Sequence, residues 1–194
     1  GYLSGLSMGK DNVIPFPQRS TSVSTTSAIT PVVSAAVAVK TLILYGTQTG
    51  NGKKIAEQLS AGLKAQGGAV SVTSMKDYRP QQLKQEQRLV VIVSTHGNGE
   101  PPDDARAFFN FIQSARAPRL EKLEYTVLAL GDSSYDEFCQ AGAALDARFA
   151  DLGAKRALER VDCDVDFAKP AKAWQAQVLE QFKPETEAAN TQFV

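Results

Sequence analysis

The chain has 194 residues, and its 21 basic residues (Lys and Arg) balance 21 acidic ones (Asp and Glu), so the formal net charge is zero. This balance excludes a general nucleic-acid binder, because such proteins carry a basic excess that complements the phosphate backbone. Hydrophobic residues make up 43% and charged residues 22% of the chain, which is typical of one globular domain with additional segments. The apolar runs, such as LVVIV at 89–93, fall far short of the about 20 residues that span a bilayer, so no membrane partner is predicted.

The first 39 residues differ in composition from the rest. Residues 20–39 are rich in Ser, Thr, Ala and Val, carry no charge and show neither helical nor strand periodicity. We therefore predict an N-terminal segment and flexible linker over 1–39. The polar end at 184–194 predicts a second linker, and we expect the chain to be a piece of a longer protein.

From residue 40 to residue 183, apolar runs alternate with amphipathic stretches. In chain order these are KTLILYG, NGKKIAEQLSAGLKAQGG, AVSVTSM, LVVIVSTHG, ARAFFNFIQSA, YTVLALGD, GAALDARFADLGA, RALERVDC and AKAWQAQVLEQF. In the first helix Ile55, Leu59 and Leu63 recur every four residues, and Gly67-Gly68 ends it. Runs of Val, Ile and Leu are typical of strands buried on both faces, so the alternation predicts a parallel sheet with helices on each side.

In such an open sheet, ligands bind outside the carboxyl ends of the strands, where neighbouring strands send their connections to opposite faces. The loops after residues 45, 94 and 130 are therefore the candidate sites. The first, GTQTGNG at 46–52, offers backbone N–H groups, hydroxyls and a helix N-terminus, which together favour a phosphate. The alternative is that Thr49 or Asn51 only caps the helix. A nucleotide hydrolase is excluded, because Asn51 stands where the second glycine of its loop belongs and Lys54 replaces the Ser/Thr.

The second loop, STHGNGEPPDD at 94–104, is either a plain turn or a surface that presents main-chain groups to a planar ligand. Pro102 replaces the third glycine of the dinucleotide fingerprint, so no NAD(P) site is predicted. His96, the only histidine of the chain, either has no catalytic task or makes ligand behaviour depend on pH. The third loop, GDSSYDEFC at 131–139, supplies Tyr135, an aromatic side chain suited to stacking on a ring.

Cys139 and Cys163 are the only cysteines, which is too few for a disulfide framework, and no secretory signal is recognisable. We therefore expect a cytoplasmic protein in which both cysteines pack as small apolar residues.

The three loop sequences TQTGN, STHGNGEPPDD and LGDSSYDEFC together resemble the FMN-binding domain of diflavin reductases. Within that group the similarity is greatest to the flavoprotein subunit of NADPH-dependent sulfite reductase, and it extends over 40–183. The resemblance implies a flavodoxin-like doubly wound five-stranded parallel sheet of order 2-1-3-4-5, with helices on both faces.

The resemblance also implies three groups of FMN-binding residues. The phosphate would be held by Thr47, Gln48, Thr49, Gly50, Asn51 and Gly52. One side of the flavin ring would be bordered by Ser94, Thr95, His96 and Gly97. The other side would be bordered by Leu130, Gly131, Asp132, Ser133, Ser134, Tyr135, Asp136, Glu137, Phe138 and Cys139, with Tyr135 stacked on the ring. No catalytic side chain and no metal is implied, because the flavin carries the redox chemistry.

By the same resemblance, FMN would accept electrons from FAD, reduced by NADPH on a missing FAD/NADPH reductase portion of an oligomeric parent protein. It would pass them singly to the sirohaem and iron–sulfur hemoprotein subunit that reduces sulfite. The alternatives are the FMN domain of another diflavin reductase, a freestanding flavodoxin, and a flavin-free interaction module that kept the fold. Acidic residues near the loops are either an ordinary solvated face or a docking surface for the electron acceptor.

Overall fold

A computed structural model describes residues 39–184 of the chain. The predicted N-terminal linker up to residue 38 and the predicted C-terminal linker from residue 185 lie outside the described residues. The strands are β1 (Thr41–Gly46), β2 (Val70–Ser74), β3 (Arg88–Ser94), β4 (Glu124–Leu130), β5 (Lys155–Arg156) and β6 (Val161–Cys163). The helices are α1 (Asn51–Ala65), α2 (Arg106–Gln113), α3 (Gln140–Asp151) and α4 (Ala168–Gln181), with short 3₁₀ helices at Pro80–Gln85 and Asp103–Ala105. No helix among these residues is both long and apolar enough to cross a bilayer.

The predicted sheet is confirmed: all strand pairs are parallel and the order is β2-β1-β3-β4, followed by the fifth position. That fifth position is shared by two short strands, since β5 pairs with the start of β4 and β6 pairs with its end. Two arginines flank the break. Arg156 and Arg160, on either side of it, both bind the carboxylate of Asp146 on α3, at 2.9 and 3.3 Å. The residues between the two arginines lie outside the strand ladder.

The helices cover both faces of the sheet, as predicted. Alternate residues of β1 divide between two cores: Leu44 packs with Phe108 in the layer of α2 and α3, and Ile43 packs with Leu59 and Trp174 in the layer of α1 and α4. The predicted apolar face of α1 is also confirmed, because Ile55, Leu59 and Leu63 are all buried.

Two glycines end α1 as the sequence predicted. Gly67 adopts a left-handed backbone with φ of 84°, and Gly68 donates its N–H to the carbonyl of Leu63 at 2.9 Å. This arrangement satisfies the last carbonyls of the helix and turns the chain toward β2.

The crossover connections place the candidate site. The chain passes from β1 to α1 on one face of the sheet, whereas the neighbouring β3 leads to α2 on the opposite face. The loops after β1 and β3 thus diverge and leave a crevice at the carboxyl edge of the sheet, which is where open α/β folds bind ligands.

Candidate functional site

The three predicted loops meet at one cavity at this edge. Its volume is about 560 Å³, within the range of about 300–1,000 Å³ that is usual for small-molecule sites. Its lining consists of Gln48, Thr49, Asn51, Ser94, Thr95, His96, Gly97, Leu130, Gly131, Asp132, Tyr135, Glu137, Phe138, Cys139, Val165 and Phe167. Residues from three distant parts of the chain are therefore brought together as the sheet topology predicted.

Six of the residues that the resemblance implied do not line the cavity: Thr47, Gly50, Gly52, Ser133, Ser134 and Asp136. Several of them shape the loops instead, as described below. Conversely, Val165 and Phe167 line the cavity but were not predicted. They follow β6, which shares the fifth sheet position. Since ligands bind at the carboxyl ends of parallel strands, the segment after β6 is a further place in the sequence where lining residues are expected.

The first loop (46–52) is organised around the side chain of Thr47. Its Oγ1 accepts hydrogen bonds from the N–H groups of Gly50 at 3.0 Å and Gly52 at 3.3 Å. Gly50 has a φ of 86°, a left-handed conformation that favours glycine, and α1 begins at the next residue.

This geometry leaves donors available at the start of α1. Within residues 39–184, the N–H groups of Thr49, Asn51 and Lys53 have no hydrogen-bond acceptor. Unpaired N–H groups and the positive end of the helix dipole together form an anion-binding site that needs no basic side chain.

The second loop (94–104) is a closed turn. His96 and Glu100 exchange two backbone hydrogen bonds, of 2.8 and 2.9 Å, and the turn between them uses positive φ values at Gly97 (51°) and Gly99 (95°). The N–H of Thr95 donates to the carbonyl of Leu130 at 2.8 Å and so joins this loop to the end of β4. The loop therefore presents its main chain, with an exposed His96, along one wall of the cavity.

The third loop (131–139) is held by Asp164, the residue that directly follows β6. The Ser133 N–H donates to the Asp164 carboxylate at 3.0 Å, and the Ser133 hydroxyl donates to the same carboxylate. These hydrogen bonds hold the pKa of Asp164 below its ordinary value. Because Asp164 immediately precedes Val165, it fixes the third loop against the segment that carries this wall of the cavity. Tyr135 and Val165, which are 51% and 67% exposed, are the exposed large apolar side chains of this edge.

The two cysteines lie beneath the third loop and are both buried and unbridged. The Cys139 thiol donates to the carbonyl of Cys163 at 3.7 Å. Burial raises the pKa of Cys139 to about 12 and that of Cys163 to about 11, so neither forms a thiolate at neutral pH. Their burial agrees with the predicted packing role.

A parallel sheet of this order, with a cavity at its carboxyl edge that all three loops line, defines a class of fold. The sequence assigns the chain to that class. The sequence profile of the Flavodoxin family matches residues 43–174, and the chain belongs to this family. Solved flavodoxin structures have the same fold. The flavodoxin of Streptococcus pneumoniae TIGR4 matches with a TM-score of 0.66 at 26% identity, over 74% of this chain and 97% of that one. A cysteine-to-serine variant of the Pseudomonas aeruginosa flavodoxin matches with a TM-score of 0.65 at 28% identity, over 74% and 99% of the two chains.

Relatives of greater sequence similarity are larger proteins. The chain is 53% identical over 156 residues to the sulfite reductase (NADPH) flavoprotein alpha-component of Shewanella sp. (strain MR-4), which is 80% of this chain and 26% of that protein. It is 46% identical over 179 residues to the protein of the same name from Bacillus subtilis (strain 168), which is 92% of this chain and 28% of that one. The chain thus spans about a quarter of the length of these relatives.

Proposed function

We propose that the domain binds FMN in the cavity at the carboxyl edge of the sheet, with the first loop around the phosphate and the second and third loops bordering the flavin ring. FMN is the cofactor that membership of the flavodoxin family implies. The observation that carries the proposal is the set of unpaired N–H groups at the start of α1, directly beside the cavity. A phosphate at one end of a planar apolar ring matches this combination of donors and walls.

The residues present fit this group. Thr49 and Asn51 line the cavity at the N-terminus of α1 and offer their N–H groups to a phosphate. Leu130, Tyr135 and Phe167 supply apolar and aromatic surface for the ring, which excludes water from that part of the cavity. When bound, FMN supplies one- and two-electron redox chemistry, while the protein contributes binding, orientation and electrostatics.

We propose further that the chain is the electron carrier of a longer sulfite reductase flavoprotein in the cytoplasm. The support is the identity of 42–53% to proteins of that name. In this proposal, electrons come from NADPH through FAD on another portion of the parent chain and leave to a hemoprotein subunit that carries sirohaem and an iron–sulfur cluster. A freestanding flavodoxin would need no such portions, and a flavin-free module would bind no FMN.

The first experiment separates these functions by cofactor. The purified chain is titrated with FMN while its visible absorption and the quenching of flavin fluorescence are followed. We expect uptake of one FMN per chain, whereas a preparation that takes up no flavin would favour the interaction module. NADPH added to the FMN-loaded chain should not be consumed, because no NAD(P) fingerprint lies in the chain.

The second experiment tests the partner. The FMN-loaded chain is reduced chemically and mixed with a purified sulfite reductase hemoprotein, and reoxidation of the flavin is followed by stopped flow. We expect faster reoxidation than with a freestanding flavodoxin at the same concentration, and slower reoxidation as salt rises if the acidic residues of the loops dock. Equal rates for the two carriers would count against the sulfite reductase proposal while leaving FMN binding intact.

A further inference from the structure

One N–H group of the first loop is bound by an acidic side chain. The Thr47 N–H lies 3.2 Å from both carboxylate oxygens of Asp104, a residue 57 positions later in the chain. Asp104 lies in the 3₁₀ helix at the end of the second loop and is half-buried. A carboxylate thus sits immediately behind the loop to which we assign the phosphate.

Close packing holds this contact in place. A Cβ atom added to Gly46 would lie 2.8 Å from the Cβ of Ala105 and 3.0 Å from the Sδ of Met75, closer than side chains tolerate. Ala105 and Met75 are both buried. The 3₁₀ helix is therefore pressed against the end of β1, and Asp104 has little freedom to move away from Thr47.

The contact fixes the residue on which the whole first loop depends. The backbone of Thr47 is bound by Asp104, and its hydroxyl oxygen accepts the N–H groups of Gly50 and Gly52. With both lone pairs of the oxygen occupied, the hydroxyl proton remains to be donated to a ligand. The next N–H group, that of Gln48, donates to the Ser94 Oγ at 3.3 Å. The second loop therefore binds two successive N–H groups of the first.

The charge of Asp104 argues against a direct role as a ligand. A carboxylate and a phosphate are both anions, so their proximity is unfavourable. Burial raises the pKa of Asp104 above its ordinary value, opposed by the hydrogen bond from Thr47; Asp103 raises it further and Lys76 lowers it. Since the Asp104 carboxylate would repel a phosphate, its contribution to phosphate binding is through the main chain of the first loop, which it holds at Thr47.

We propose that Asp104 is a positioning residue for the phosphate of FMN: by accepting the Thr47 N–H, it fixes the first loop with its remaining donors directed at the phosphate. This inference rests on the proposed function. In this proposal the second loop has two roles: it borders the flavin ring, and through Asp104 it sets the geometry of the first loop around the phosphate.

The test compares affinities for FMN and for riboflavin, which has the same ring and no phosphate. We expect Asp104→Ala to weaken FMN binding about tenfold, the loss of about one hydrogen bond to a charged group, and to change riboflavin binding less than about twofold. Asp104→Asn should stay within about threefold of the original chain for FMN, because the amide oxygen can still accept the Thr47 N–H.

The neighbouring acid gives a matched control. Asp103 is 75% exposed and pairs with Arg106 at 2.7 Å rather than with the first loop. Asp103→Ala removes the same charge from the adjacent residue, so it should leave both affinities unchanged.

The outcomes are separable. If the original chain does not bind FMN, the proposed function fails. If it binds FMN but Asp104→Ala retains its affinity, or loses FMN and riboflavin equally, the positioning role is wrong. An Asp104→Asn variant as weak as Asp104→Ala would also overturn it, since the acceptor oxygen would then not be what matters. Binding of riboflavin by Asp104→Ala shows that this variant is folded.

Discussion

Gly50 and Gly67 stand at opposite ends of α1 and offer a matched pair of substitutions. Their φ values are 86° and 84°, and a Cβ added to either would meet no atom within 4 Å. The cost of Gly50→Ala or Gly67→Ala is therefore backbone strain alone, about 1–2 kcal/mol for a left-handed L-residue. Alanine also restricts the unfolded chain by about 0.4–1 kcal/mol, so we expect a net loss of about 1 kcal/mol of unfolding free energy from Gly67→Ala and a smaller loss from Gly50→Ala, where the loop relieves part of the strain when FMN is absent.

The two substitutions should differ in binding. Gly50 lies in the loop whose residues Gln48, Thr49 and Asn51 line the cavity, whereas Gly67 follows the far end of the helix. We expect Gly50→Ala to weaken FMN binding by about twofold to fivefold, because strain that the flavin-free loop relieves by changing its backbone must be restored when the phosphate binds. Gly67→Ala should leave the affinity unchanged. Urea unfolding of the flavin-free chains measures the stability, and fluorescence titration measures the affinity. Equal affinities for the two variants would refute the assignment of the first loop to the phosphate.

Three further predictions concern groups around the site. Cys139 and Cys163, with pKa values of about 12 and 11, should not react with Ellman's reagent at about pH 8 until urea unfolds the chain; rapid labelling of the folded chain would contradict their burial. Asp146→Ala should cost about 3 kcal/mol of unfolding free energy, because it removes the buried carboxylate that Arg156 and Arg160 share, whereas Asp151→Ala on the exposed side of the same helix should cost little. Because the pKa of Asp104 is raised, protonation of Asp104 increases the free energy of unfolding. This stabilisation is present in acid and is lost as the pH rises through the folded-state pKa. Asp104→Asn should therefore stabilise the flavin-free chain at neutral pH but not at about pH 3, below the ordinary aspartate pKa; a gain that is the same at both pH values would refute this.

Much of the fold could be predicted from local pattern. The apolar runs that became β1, β3 and β4 are buried on both faces, and the four-residue spacing of Ile55, Leu59 and Leu63 identified the buried side of α1. Local signals were sufficient here because both the strand and the helix period are properties of short segments.

The features that sequence reasoning missed depend on contacts between distant residues. The break in the fifth strand is flanked by two arginines that bind Asp146 on α3, and the Asp104 carboxylate reaches Thr47 across 57 positions. Neither pairing has a local pattern. In the sequence, Asp104 is one of several acidic residues near the loops. Its half-buried position against the first loop distinguishes it from the exposed Asp103.

In the proposed function, the unpaired N–H groups at the start of α1 bind the phosphate of FMN. Amide NMR of the isotope-labelled chain, titrated in parallel with FMN and riboflavin, tests it residue by residue. We expect the amide signals of Thr49, Asn51 and Lys53 to shift strongly with FMN and much less with riboflavin, while signals of the second and third loops shift with both. Shifts of these three signals that are equally small with either flavin, despite binding, would contradict it.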